Sequence, residues 1–133
     1  MPGKSDYAEG AMLQQWLGAA SGFVVPANVY VGLYSAAPSD AGGGTELTGS
    51  GYARVAVPNN SANWVESSGK IQNANQIVYA AATANWLAAV AVGLFDALTG
   101  GNMLFFVPLT PSVTILQNAK MTIPVSALQF VEE

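Results

Sequence analysis

The chain has 133 residues, no cysteine, no histidine and a formal net charge of −4. That length suits one domain with one core, and the composition removes disulfides, thiol chemistry, cysteine or histidine metal sites and the usual imidazole base. Only 9% of residues are charged, against about 25% in ordinary domains, and Lys4, Arg54, Lys70 and Lys120 form no basic stripe for nucleic acid.

The opening MPGKSDYAEG has no apolar core of the signal-peptide type, so the protein is expected to act or assemble where it is made. Residues 5–21 are predicted as a helix, with Asp6 and Glu9 at capping-box spacing and both acids at the positive end of the dipole. Met12, Leu13, Trp16, Leu17 and Ala20 share one face. Gly22 and Pro26 end the helix. That face either packs on the domain's own sheet or projects, with Trp16 docking on a neighbouring subunit.

In the stretch Asn28 to Val57, Val29, Val31 and Leu33 alternate with Tyr30, Gly32 and Tyr34, the period of a two-faced strand. Tyr52, Arg54 and Ala56 alternate with Ala53, Val55 and Val57 in a second. Between them lies a long excursion containing Pro38, Asp40, the glycines Gly42, Gly43 and Gly44, and Glu46.

A polar turn over 58–63 leads to a strand start at Trp64-Val65, and Ser67-Ser68-Gly69 turns into Lys70-Ile71-Gln72-Asn73. Ile77, Val78 and Tyr79 form a short strand. The alanine-rich run 80–86 is expected to be extended or a single turn. Ala89 to Asp96 reads as a central strand, apolar on both faces. The apolar run from Trp86 to Phe95 falls short of the roughly 18–20 residues of a membrane span. Asp96 to Asn102 is a turn, Met103 to Val107 its hairpin partner, and Pro108 and Pro111 punctuate the chain beyond it. Val113 to Leu116 is predicted as a strand. Met121 to Val125 is an edge strand, because Pro124 cannot donate to a ladder. Leu128, Phe130 and Val131 close the chain. Eight or nine short strands at regular spacing predict an all-β fold, a single β-sandwich or jelly-roll-like domain over 1–133 with a short N-terminal helix.

The run YVGLYSAAPSDAGGGTELTGSGYARVAV, with FDALTGGNML further on, closely resembles a family of small tailed-bacteriophage proteins, usually labelled tail-fibre or virion-accessory proteins. Their pattern is a short amphipathic helix, a YVALYTAAP strand, a DAGGGTE loop and a GGGYAR strand, then an FDAATGGNLL segment; the likeness spans roughly residues 4–110. The resemblance implies a virion protein, assembled in the host cytoplasm. One departure is clear: many members carry Trp-Gly-x-Val-Thr-His before the FDA turn, where this chain has Trp86-Leu87-Ala88-Ala89-Val90-Ala91.

Chemistry finds little footing. Gly42-Gly43-Gly44-Thr45 lacks the lysine and succeeding helix of a phosphate loop. Asp40 and Glu46 could converge, but the ligand spacing of a calcium loop is missing. Asp40, Glu46, Glu66 and Asp96 all sit in or beside turns, and a glycosidase needs two acids flanking a sugar site. No enzyme, metal or cofactor is expected.

Binding is therefore the expected mode. Arg54, the sole arginine, is expected to pair with Glu46 or Asp96. Phe105 and Phe106 are adjacent in a strand, so one ring must leave the inner face and find cover, most simply from a second subunit. The candidate partner-interface residues are Met12, Trp16, Gly42, Gly43, Gly44, Arg54, Phe105 and Phe106. The expected partners are further copies of the chain, as a homo-oligomer such as a trimer, and the major capsid protein or tail proteins; neither nucleic acid nor membrane is expected. Within the virion, capsid decoration as a cement protein is the first expectation. A tail or tail-fibre component, or a receptor- or carbohydrate-binding module, is the alternative, the last requiring Trp64 and Trp86 to face solvent together.

Overall fold

The computed structural model describes residues 3–18 and 24–131. Among them are one helix and eleven strands. The main sheet is built on β2 (Asn28–Ala36), β8 (Ala89–Phe95) and β9 (Met103–Val113), all antiparallel neighbours. Two-residue strands extend it at both edges, β1 (Gly3–Lys4) beside β9 and β3 (Thr45–Glu46) beside β2, while β4 (Val55–Pro58) also pairs with β2. A three-stranded sheet of β11 (Gln129–Val131), β6 (Lys70–Asn73) and β5 (Trp64–Ser67) and a two-stranded ribbon of β10 (Thr122–Ile123) and β7 (Ile77–Val78) complete the fold. It is all-β with a short N-terminal helix, as the turn spacing predicts.

Alternation along β2 sorts its side chains cleanly. Val29, Val31 and Leu33 join Val92 and Leu94 of β8 in the main core, closed by Trp64, Ile77, Ile123 and Phe130 from the smaller sheets. Tyr34, Phe95, Met103 and Phe106 form a second cluster, with Tyr30 packed against it. Phe105 and Phe106 do face opposite ways. The cover for Phe106 comes from this second cluster of its own chain, which leaves the ring 5% exposed and needs no second subunit.

Helix α1 (Asp6–Trp16) is shorter than the predicted 5–21, and residues 19–23 lie outside the described residues. Its cap is Ser5 rather than Asp6: the Ser5 hydroxyl accepts from Ala8 N at 3.2 Å and donates to the Met103 carbonyl. Ser5 N also donates to Leu104 O, and Asp6 N to Asp40 O, both at 2.9 Å. The helix is thus fastened at its start to β9 and to the glycine-rich excursion. It buries Ala8 and Ala11, not the predicted face of large side chains.

The other differences are local. The second strand of the opening pair starts at Val55, three residues late, and Tyr52 and Arg54 before it engage Glu46 through their side chains. Strand β9 runs through Pro108 and Pro111 to Val113, and residues 114–116 are irregular. Proline is tolerated there because β1 pairs only with Phe105 and Phe106, so the later part of that edge carries no ladder to interrupt.

The excursion is tightly built. Ser39 and Gly42 exchange both backbone hydrogen bonds at 2.8 Å. Gly44 has φ +73°, and a Cβ there would lie 2.6 Å from the Ala36 carbonyl oxygen. Gly44→Ala should therefore cost about 2 kcal/mol. At Gly43 φ is also positive but a Cβ would meet nothing within 4 Å, so Gly43→Ala should cost only about 1 kcal/mol; denaturant midpoints of the two variants check the difference.

Candidate functional site

Glycine at Gly32 and Gly93, directly paired across β2 and β8, leaves space over the second face of the main sheet. A Cβ at Gly32 would come within 2.8 Å of the Glu46 carboxylate, and one at Gly93 within 2.9 Å of the Tyr34 ring. Glu46, Tyr52 and Phe95 reach into that space, and Arg54, from the segment just before β4, binds Glu46 and lies over Phe95. Its Nε and Nη2 donate to Glu46 Oε2 and Oε1, both at 2.8 Å, a bidentate pair. Its Nη1 donates to the carbonyls of Ala97 at 2.8 Å and Gly100 at 2.9 Å. The guanidinium lies 3.5 Å from the Phe95 ring centroid, a cation–π contact. Tyr52 completes the cluster: its hydroxyl donates to Glu46 Oε2 at 2.6 Å and accepts from Leu33 N at 2.9 Å.

Of the two proposed partners, Arg54 takes Glu46. Asp96 instead holds its own turn, accepting from Asn102 N at 2.7 Å and from the Asn102 side-chain amide at 3.0 Å. The arginine thereby clasps the 37–51 excursion to the 96–102 turn. Burial raises the Glu46 carboxyl, but hydrogen bonds from Arg54 and Tyr52 and the Arg54 charge outweigh it and hold it below the ordinary range. Burial and the bond to Glu46 push the Tyr52 phenol up, so it stays a donor.

The sign of the pH dependence is set by the lowered Glu46 value. Its contribution is complete above the unfolded-state value of about 4.3 and is lost as pH falls through the lower folded value. The thermal midpoint should therefore drop on acidification below about pH 4, and the drop should be smaller in Glu46→Gln, read as the difference between the two Tm–pH profiles.

One further acid, Glu66, has a similar local duty: it accepts from Gly69 N at 2.9 Å inside the β5–β6 hairpin. With both Glu46 oxygens engaged, the Asp40–Glu46 convergence that a calcium ion would require has no free carboxylate at Glu46. Among the described residues no cluster of three or more acids, histidines or cysteines could hold a metal. Trp64 and Trp86 are 9% and 6% exposed, so they do not form the solvent-facing pair that a sugar platform would need. Trp86 donates its indole N–H to Ser50 O at 2.8 Å and packs edge-on against Tyr52.

The predicted interface residues therefore divide. Arg54 and Phe106 are internal, and Gly42, Gly43 and Gly44 shape a turn whose surface is partly open. Met12 is half-buried, and Phe105 is half-buried against Phe130, with ring centroids 5.1 Å apart. Trp16 is 73% exposed. Around it Leu13 and Leu17 are also exposed, as are Val24 and Val25 shortly before β2. Two depressions flank this region and share Ile71, Phe105 and Phe130 as lining. Sequence reasoning singled out Trp16 and Phe105; Ile71 and Phe130 were missed, since only the β6–β11 pairing brings them there.

A family model described as Podophage GP4 fiber I protein gp80 matches residues 3–131. No curated protein matches the chain.

Proposed function

The chain belongs to the Podophage GP4 fiber I protein gp80 family, and on that premise we propose that it is a subunit of a virion fibre that works by binding. The family match along nearly the whole chain carries this reading. The architecture supports it. The polar groups with most chemical potential, Glu46, Tyr52 and Arg54, are consumed in holding two loops together, and Glu66 and Asp96 in holding turns. Exposed apolar side chains gather at the end of α1 and at Val24 and Val25, which is the make-up of a contact surface.

Self-association into a homo-oligomer, docked on tail proteins, is the assembly that this surface and the sparse charge favour. Capsid decoration draws on the same sparse charge, but the family description names a fibre, and the fibre placement is the one adopted. A phage carrying an amber codon in this gene tests it. On a non-suppressing host its particles should keep full, stable heads and lack an appendage under negative stain. Fragile or empty heads with every appendage present would favour a cement role and remove the fibre one.

A further inference from the structure

We propose that the apolar groove beside α1 is a self-association surface that receives Trp16 of a second copy of this chain. This deepens the fibre-subunit reading and rests on it for the need to self-associate. The groove is lined by Val25, Pro26, Trp64, Ile71, Phe105 and Phe130 among others, and its volume is about 190 Å³. An apolar cavity of about 150 Å³ accepts a benzene ring, so this is room for one aromatic side chain. Through Ile71, Phe105 and Phe130 it continues into a second depression of about 300 Å³ that Trp16 itself lines.

Two observations choose the occupant. First, the projecting ring and the recess lie in one patch. A two-fold contact brings a patch against its own copy, so each Trp16 can enter the other's groove. Fastening α1 at Ser5 and Asp6 leaves the far end of the helix, with Leu13 and Leu17 beside Trp16, presented outward. Second, Glu66 and Lys70 both border the depression next to Trp16. Across a two-fold, the Glu66 carboxylate oxygen that Gly69 N does not engage can meet Lys70 of the other copy, twice over, whereas a partner of single-sign charge would match one and repel the other. A tryptophan seated in a desolvated apolar pocket is the usual make-up of an interface hot spot.

Sedimentation velocity on the full chain over a wide concentration range tests the proposal. Wild-type protein should associate, and Trp16→Ser should raise the dissociation constant at least tenfold while leaving the thermal midpoint unchanged at concentrations low enough for both proteins to be monomeric, because the ring is exposed in the single chain. Lys70→Glu should also weaken association, and adding Glu66→Lys to it should restore much of the loss. A monomeric wild type, or a Trp16→Ser variant that associates as wild type does, overturns the proposal. Neither result touches the location of the protein in the particle, so failure here is separable from failure of the fibre reading.

Discussion

Arg54→Met is expected to lower stability by about 3 kcal/mol, a fall of roughly 10 °C in thermal midpoint for a domain of this size. The substitution keeps most of the side-chain volume and removes every contact of the guanidinium: two hydrogen bonds to Glu46, one each to the carbonyls of Ala97 and Gly100, and the face of Phe95. The Glu46 carboxylate then stays partly buried with only the Tyr52 hydroxyl on it. Because the Glu46 side chain keeps 24% exposure, water relieves part of that cost, which places the loss at the lower end of the range for broken buried pairs. Arg54→Met combined with Glu46→Gln should recover part of the loss, since no unpaired charge remains. Arg54→Lys should recover little, because an ammonium cannot reproduce the bidentate pair and two carbonyl bonds together. Equilibrium urea unfolding of the wild type and the three variants reads all of this. A drop below about 1 kcal/mol for Arg54→Met would mean that the clasp behaves as an ordinary surface ion pair.

The second large effect is expected at Asn73, the last residue of β6, which is 1% exposed. Its side-chain amide donates to Asn75 O at 2.8 Å and Pro124 O at 2.9 Å, while its oxygen accepts from Leu128 N at 3.0 Å. Its backbone adds bonds to Leu128 O at 3.3 Å and from Ser126 N at 3.0 Å. One side chain thus satisfies the chain where it passes between β10 and β11 without a ladder of its own. Asn73→Ala leaves Leu128 N–H and the Pro124 carbonyl without these partners, and should cost about 3 kcal/mol at roughly 1–3 kcal/mol per unsatisfied buried group. Asn73→Asp should be no better, since a carboxylate cannot donate to the two carbonyls. Hydrogen exchange should show the loss first at Leu128 and along β11. Retained protection there would contradict the role given to Asn73.

How far residues speak for themselves differs between the parts of this fold. The central strands β2 and β8 are legible because both faces of each are apolar or aromatic over several residues, a pattern that no loop keeps. Strands β7 and β10 are legible in residues 77–79 and 121–125, though shorter than read, whereas β1 and β3 are two residues long within stretches that carry no alternation, so no periodicity can announce them. In α1 the large residues Leu13, Trp16 and Leu17 look like a core face. The surface chosen is that of Ala8 and Ala11, because Ser5 and Asp6 hold the helix close to β9 and the excursion, and small side chains permit that approach. Periodicity identifies a face but not which neighbour it meets. Arg54 was legible through scarcity, as one of very few cations among several loop acids. The choice of Glu46 over Asp96 was not, because it depends on Gly32 leaving room for the Glu46 carboxylate and on Asn102 engaging Asp96. Asn73 carried no signal at all: an asparagine ending a polar strand looks solvated until β10 and β11 close over it.

Whether this chain is a fibre subunit of the virion is decided by locating it in purified particles. Gold-labelled antibody electron microscopy, with quantitative mass spectrometry against the major capsid protein, gives both place and copy number. A fibre subunit should carry label confined to appendages, at a copy number far below that of the capsid protein. Label spread over the head, with copies in proportion to the capsid lattice, would contradict the fibre placement.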